Sequence, residues 1–496
     1  MHVRFLLTLC VIMASIEITY GQVVTKEFFP PPGSKNLVRT RSLNLTVSPA
    51  KAPRPALRYR LLPTITERNS GNAAQHYLLA LTPGARGGVN ATKRIDELLR
   101  GWENTDKMPP KEILQITPTF AFRAIERGAF SKYCDWRARE RIREDGFGAL
   151  LPELQSTRRL IVLLQVRARY QMAEKKYSEA IRTLRTAFQL SRHVNEGPTL
   201  IQGLVAAALA SIAIQEVEQL ISRPDSPNMY WALTQLPQPL IDMGKAADGE
   251  KLLAEQFFPN FRDMRDQLEK RALSQSELDD VVKKYTEAAS LLFPGKDKAS
   301  ISQKWFGKMG LSFLAAGTYP RAKEFLLKQG IAAKHVNTMP VTQAVLMYSG
   351  YAYDTYLDDA LKWYGTPYPE FRRGMDSVEQ RLRKAREAGD LAITLIGMIM
   401  PALSRGLEPS YRLDRKIQGL RVVEALRMYA AEHGHWPKKL ADIKDVPVPN
   451  DPYTQAPFVY DVRGKTATII ANVPPVNREL NQSYRGTVWE YVLTLR

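Results

Sequence analysis

Hydrophobic positions recur at helical spacing along most of the chain. Between about residues 71 and 410, apolar side chains repeat every three or four positions, which is the period of one buried face of an α-helix. The clearest runs lie between residues 160 and 190 and predict an α-hairpin. Their apolar positions are Leu160, Leu163, Leu164, Val166, Tyr170, Tyr177, Ala180, Ile181, Leu184, Ala187, Phe188 and Leu190. We therefore expect a body of packed helical hairpins.

Capping and breaking residues mark further helices in this body. Pro198 suits the start of a helix that runs to about Ile221, because Pro224 follows its end. Ser276 and Asp279 fit a capping box at the start of another helix. The pattern predicts long helices joined by short turns.

The period changes from helical to alternating near the C-terminus. Residues 419–432 still predict an amphipathic helix, but apolar side chains then alternate up to a turn at Gly464, and residues 466–471 form a β-branched return. Alternation at residues 489–493 indicates a possible third strand. The alternating positions are Phe458, Tyr460 and Val462, then Trp489, Tyr491 and Leu493. These features predict a helix followed by a small antiparallel sheet.

The N-terminus has the pattern of a secretory signal. A short basic opening precedes an apolar run at residues 5–16, and Thr19 and Gly21 suit a cleavage site before Gln22. A membrane anchor is the alternative, but a span needs about 20 apolar residues and Glu17 interrupts this run. We therefore expect export to the periplasm, the envelope or the medium, with no transmembrane span in the mature chain.

These patterns divide the chain into four segments. Residues 1–21 are the predicted signal peptide, and residues 22–70 are a proline-rich, extended lead with little periodicity. Residues 71–410 are the helical body, and residues 411–496 are a small α+β module. The expected fold class is mainly α, with packed, irregular helical hairpins.

The net charge of the chain indicates which class of partner to expect. The chain has 70 Lys and Arg against 51 Asp and Glu, a net charge of +19, which favours acidic polymers or proteins. Export and the lack of a recognised nucleic-acid module argue against nucleic acid. Cys134 is the one cysteine outside the predicted signal peptide, and we interpret it as a buried, inert thiol.

The predicted α-hairpin resembles part of a repeat family. Tyr177, Ala180, Leu184 and Ala187 match the second helix of a tetratricopeptide repeat, and a weaker echo lies between residues 317 and 326. The echoes are not in the 34-residue register of a tandem array. The resemblance implies similar helix packing without a regular solenoid.

The C-terminal segment resembles a second family. The order of residues 430–437, Leu440, the corner at 451–453 and the aromatic strand at 457–460 looks like the C-terminal half of type II secretion major pseudopilins, over residues 415–471. In that family these turns fix the sheet against the helix. The family's long N-terminal assembly helix is not joined directly to this segment, and its calcium-binding acidic loop has no clear counterpart near Lys465. The resemblance therefore implies the local fold and not filament assembly.

Almost everything after residue 70 is also similar to uncharacterised exported helical proteins of planctomycete-type bacteria. The segments that carry this resemblance are residues 71–77, 195–200 and 227–237 together with the pseudopilin-like end. It implies export and a helical architecture, and it implies no reaction.

Two clusters are candidates for binding. Tyr230 and Trp231 are adjacent aromatic residues at a helix start, which suits either a sugar- or peptide-binding cleft or a pair of core anchors. A basic cluster with acidic residues among it suits either a polyanion patch or a solvated helix face. The cluster consists of Arg381, Arg383, Lys384 and Arg386.

The sequence nominates no catalytic residue, metal site or cofactor. It has no zinc, phosphate-loop or nucleophile-elbow pattern. The function that we expect is an exported, non-catalytic interaction or scaffold protein of the cell envelope. The alternatives are a hydrolase of envelope or other polysaccharides, with a cleft near Tyr230 and Trp231, and an accessory of a type II secretion-like machine.

Overall fold

The computed structural model describes residues 23–28, 38–102, 107–145, 152–245, 249, 271–281, 283, 308–387, 406–471 and 487–496. Within these ranges the protein is mainly helical, as the periodicity predicts, with a five-stranded sheet that contains the C-terminal strands and a second sheet of two strands. The strands are β1 (Val23–Phe28), β2 (Val38–Val47), β3 (Asn69–Asn72), β4 (Ser131–Tyr133), β5 (Val459–Arg463), β6 (Thr466–Ala471) and β7 (Thr487–Leu495). The helices are α1 (Ala73–Leu81), α2 (Val89–Trp102), α3 (Glu112–Ile116), α4 (Thr119–Ala129), α5 (Ala138–Asp145), α6 (Pro152–Ala173), α7 (Tyr177–Val194), α8 (Leu200–Ile221), α9 (Tyr230–Thr234), α10 (Lys308–Lys328), α11 (Ala333–Thr338), α12 (Val341–Leu361), α13 (Tyr368–Glu387) and α14 (Glu408–His433).

Helices α6, α7 and α8 form the centre of the main core. The α6–α7 pair is the predicted hairpin, and its turn places Lys175 at a φ of +58°. Helix α8 begins after Thr199, whose hydroxyl accepts the Gln202 N–H at 3.2 Å, while the Gln202 side chain reaches back to Thr199. Two reciprocal bonds satisfy donors that the first turn leaves open. The predicted helix from Pro198 to Ile221 is therefore confirmed to within two residues.

A second, smaller core lies between α10, α12 and a helix at residues 275–281. The capping pair of the last helix is Ser274 with Glu277, because the Glu277 carboxylate accepts the Ser274 N–H at 2.8 Å and the Ser274 hydroxyl at 2.9 Å. Arg271 also binds Glu277 and holds it at this position. The predicted pair of Ser276 and Asp279 is wrong by two residues.

The main sheet has the strand order β1-β2-β7-β6-β5. Strands β2 and β7 are parallel and the other neighbours are antiparallel, so the three predicted C-terminal strands are confirmed. The proline-rich lead also contributes strands to this sheet, which its composition does not suggest. Leu43, Leu45 and Val47 alternate along β2 and pack on the core, which gives β2 the period of a half-buried strand.

Helix α14 and the sheet pack closely on the helical body. Arg427 and Glu424 form a fully buried ion pair at 2.9 Å on α14. The same guanidinium donates to the carbonyl oxygens of Ser226, in the body, and Ser48, in the lead. One buried group therefore bonds α14, the helical body and the lead to one another.

Candidate binding groove

Tyr230 lies in the core and does not line a cleft. Its side chain is 0% exposed, and the half-buried Trp231 ring packs edge-on against it at 5.0 Å between centroids. The Tyr230 hydroxyl donates to the Pro447 carbonyl oxygen, and the Arg421 guanidinium lies 5.3 Å from the ring centre. The interpretation as a core anchor is the correct one for Tyr230, because its ring and its hydroxyl are both satisfied inside the protein.

The predicted basic cluster lies on α13 and is a solvated helix face where the structure describes it. Arg381 pairs with Asp359 of α12 at 2.6 Å, and Arg383 lies 3.9 Å from Glu387 one turn later. Lys384 is exposed, and the side chain of Arg386 lies outside the described residues. Because Arg381 and Arg383 pair with neighbouring carboxylates, this helix face carries less unpaired positive charge than the sequence suggests.

A groove of about 740 Å³ lies between the loop after α14 and the start of β5. Its buried apolar lining comes from both sides, with Leu440, Ile443 and Val446 from the loop and Phe458 from the strand side. The volume falls within the range of about 300–1,000 Å³ that is typical of ligand pockets. This groove is the candidate functional site.

Three lysines stand at the rim of this groove. Lys438, Lys439 and Lys444 line it and are exposed. Within the part of the chain that the structure describes, none of these ammonium groups forms an ion pair. Unpaired cations above an apolar floor suit a ligand with negative charge and some apolar surface. We call this site the lysine groove.

Hydrogen bonds to backbone carbonyl groups hold the loop of the lysine groove in place. The Trp436 indole N–H donates to the Lys465 carbonyl oxygen at 2.9 Å, and the Tyr460 hydroxyl donates to that of Pro437 at 2.9 Å. Tyr230 reaches the Pro447 carbonyl from inside the protein. Burial, with a contribution from Asp442, raises the pKa of Tyr460, so its hydroxyl keeps its proton and remains a donor. The groove is therefore held in shape before any ligand binds.

A buried ion pair supports the other end of the loop. The Asp451 carboxylate accepts the Arg415 Nε–H at 2.8 Å and the Tyr453 N–H at 3.0 Å. The Arg415 guanidinium also lies 4.3 Å from the Tyr453 ring centre, and that ring stacks on Tyr368 at 3.8 Å. This is the corner that carries the pseudopilin resemblance, and it joins the loop to α13 and α14.

The described lining of the lysine groove offers no acid or base pair. Of the described residues that line it, none is Asp or Glu. Asp414, whose pKa burial raises to about 7, accepts the Leu240 N–H at 3.0 Å at another place in the core. A polysaccharide hydrolase needs two carboxyl groups that flank the bond it breaks. The described lining is therefore made of apolar, neutral polar and lysine side chains.

Cys134 and His193 are buried side chains with structural roles. Cys134 is buried, and burial together with the negative charges of Glu196 and Asp135 raises the pKa of its thiol, so the reactive thiolate is disfavoured. His193 is buried between the Tyr77 hydroxyl at 2.9 Å and Gln189 at 2.8 Å, and burial lowers its pKa to about 3. A neutral imidazole with both ring nitrogens bonded is a structural group.

Neither a metal cluster nor an exposed membrane span is found in the described ranges. No group of three or more His, Cys, Asp or Glu side chains there is arranged to hold a metal ion. Helix α8 is the single helix in those ranges that is long and apolar enough to cross a membrane, and 78% of its most apolar window is buried inside the protein. We interpret α8 as a core helix.

Comparisons with protein families, curated proteins and solved structures give no match for this chain.

Sequence reasoning did not find the lysine groove. Lys438, Lys439 and Lys444 alternate with Asp442 and Asp445, so the segment reads as a mixed-charge loop. The run of apolar and proline residues at 446–449 could have indicated the groove, because such a run is unusual for a solvated loop.

Proposed function

We propose that this protein is an exported, non-catalytic binding protein of the cell envelope that takes acidic polymers or proteins in the lysine groove. The observation that carries the proposal is the set of three exposed lysines over an apolar floor, with no ion-pair partner among the described residues. The signal-like pattern at residues 1–21 supports the location, and the net charge of +19 supports an acidic partner.

The helical body acts in this proposal as the scaffold that carries the groove. We infer that its hairpin α6–α7 packs as one tetratricopeptide-like unit, and the burial of the small residues Ala180 and Ala187 supports this inference. The buried bonds from Ser226 and Tyr230 connect this scaffold to α14 and to the groove loop. A rigid support of this kind lowers the ordering cost of binding.

The test compares two triple variants, each of which removes three positive charges, one at the lysine groove and the other on α13. Lys438, Lys439 and Lys444 are changed to Gln in one variant, and Arg381, Arg383 and Lys384 in the other. Binding of labelled polyglutamate and of oligogalacturonate is measured by fluorescence anisotropy at 50 and 500 mM salt. The groove variant should lose about 2 kcal/mol of binding energy, or roughly 30-fold in affinity, if each exposed contact contributes about 0.7 kcal/mol.

The α13 variant is the matched control, and its affinity should stay within about twofold of the parent. Higher salt should weaken binding to the parent protein, because mobile ions screen exposed charges. Equal losses in both variants would show that distributed charge, and not the groove, binds the partner. Absence of binding at 50 mM salt would refute the proposed function.

A further inference from the structure

The strand that borders the lysine groove is the edge strand of the sheet that the structure describes. Strand β5 is the outer strand of the sheet and pairs with β6, and no other described strand lies beside it. The two strands are joined by the two-residue turn at Gly464 and Lys465, in which Gly464 has a φ of +57°. This turn, with glycine at its first position and positive φ there, is the type II′ turn of tight hairpins.

The register of the hairpin determines which backbone groups point outward. Arg463 and Thr466 close the two-residue turn and therefore form a hydrogen-bonded pair. Bonded and non-bonded pairs alternate along an antiparallel ladder, so Asp461 is the next residue of β5 that bonds to β6. Tyr460 and Val462 consequently direct their N–H and C=O groups away from β6, toward the open edge.

The open edge and the lysine groove are parts of one surface. Phe458 and Tyr460 line the groove at the start of β5, and the lysines stand on the loop that forms its other wall. Val459, beside them, is 45% exposed and adds apolar surface to the solvent face of the strand. Tyr460 therefore belongs both to the groove lining and to the outer strand of the sheet.

We propose that the partner enters the lysine groove as an extended acidic peptide segment that adds to the sheet as a strand beside β5. This inference rests on the proposed function. A polypeptide carries N–H and C=O groups at the spacing of the ladder, so it can bond to Tyr460 and Val462, whereas a polysaccharide has no such repeat. Acidic side chains on the added strand meet the rim lysines.

Charge also favours an acidic segment over a second copy of this chain beside β5. An open strand edge is a place where two copies of one protein can pair, and natural proteins often protect such edges with lysine. The net charge of +19 and the three rim lysines oppose a second copy of this chain. The same charges attract an acidic segment, so the groove discriminates between these two occupants.

The test compares two variants of Val462 with a defined peptide. Proline at this position removes an N–H that points away from the ladder, a substitution that edge strands tolerate, while Val462→Ala removes side-chain packing and keeps the N–H. The probe is a fluorescein-labelled ten-residue peptide of alternating Glu and Val. We expect Val462→Pro to weaken its binding at least tenfold and Val462→Ala by no more than about twofold.

Amide hydrogen exchange of the parent protein is the second measurement, and it does not depend on a variant. Saturating peptide should slow exchange at the Tyr460 and Val462 amides at least tenfold and leave the Asp461 amide, already bonded to β6, unchanged. Circular dichroism and thermal melts establish that both Val462 variants fold.

The outcomes separate the two proposals. Peptide binding that needs the rim lysines but protects neither Tyr460 nor Val462, and that survives Val462→Pro, overturns strand addition and leaves the proposed function in place. Lysine-dependent binding of oligogalacturonate without binding of the peptide has the same meaning. If neither probe binds in a lysine-dependent way, the proposed function itself fails.

Discussion

The carboxyl group of Asp414 makes the stability of this protein depend on pH. Burial raises its pKa from about 3.8 to about 7, although its carboxylate accepts the Leu240 N–H at 3.0 Å. The folded protein therefore binds this proton more tightly than the unfolded chain does between pH 4 and pH 7. The contribution of Asp414 to stability is therefore greatest below pH 4, falls as the pH rises through this window, and stays at its lower level above pH 7.

The magnitude follows from the size of the shift. A change of about 3 pKa units corresponds to about 4 kcal/mol, since each unit is about 1.4 kcal/mol. This value is an upper limit, because Asp414 keeps some solvent exposure. Asp414→Asn keeps an oxygen that accepts the Leu240 N–H and removes the buried charge. We expect the variant to be more stable than the parent by up to about 4 kcal/mol at pH 8 and to be nearly equal at pH 4.

Urea denaturation followed by tryptophan fluorescence at pH 4, 5, 6, 7 and 8 measures this difference. Asp280→Asn is the matched control, because Asp280 is exposed and its removal changes the net charge equally. Subtraction of the control removes the general effect of charge. A stability difference between Asp414→Asn and the parent that is the same at pH 4 and pH 8 would refute the reasoning.

Two further substitutions test the packing of the core. Asp451→Ala leaves the Arg415 guanidinium buried without its carboxylate, so we expect the free energy of unfolding in urea to fall by about 3–5 kcal/mol. The exposed control Asp461→Ala should lower it by about 0.5 kcal/mol. Similar losses in the two variants would contradict the burial of the Asp451 pair. Gly128→Ala places a Cβ 2.6 Å from the Tyr77 ring, and we expect about 1–3 kcal/mol of destabilisation in thermal melts. An unchanged melting temperature would show that the ring moves aside freely.

The sequence was sufficient for elements that local patterns determine. The hairpin α6–α7, the start of α8 and the strands β5 and β6 follow from apolar periodicity, a proline at a helix start and a glycine turn, all of which act over a few residues. Strand β2 was missed because proline and basic residues dominate the composition of the lead. The alternation of Leu43, Leu45 and Val47 within it covers only five residues.

The candidate site depends on contacts between distant residues, which periodicity does not report. Whether Tyr230 is a cleft residue or a core anchor is decided by the Pro447 carbonyl, 217 positions away. Lys438 and Lys444 become the rim of a groove because the fold brings their loop against Phe458 and Tyr460. The sequence shows which residues are charged, but it does not show which distant residues lie beside them on the same surface.

The parallel pairing of β2 with β7 has a consequence for biosynthesis. Ser42 and Glu490 are neighbours across these strands and hydrogen-bond to each other, yet they are 448 positions apart in the chain. A ribosome releases β2 long before β7 exists, so the sheet is completed only when the last strand has emerged. Until then the sheet lacks the strand that joins β2 to β6. A message cut short before Thr487 would produce chains with an exposed β2 edge that is prone to aggregation.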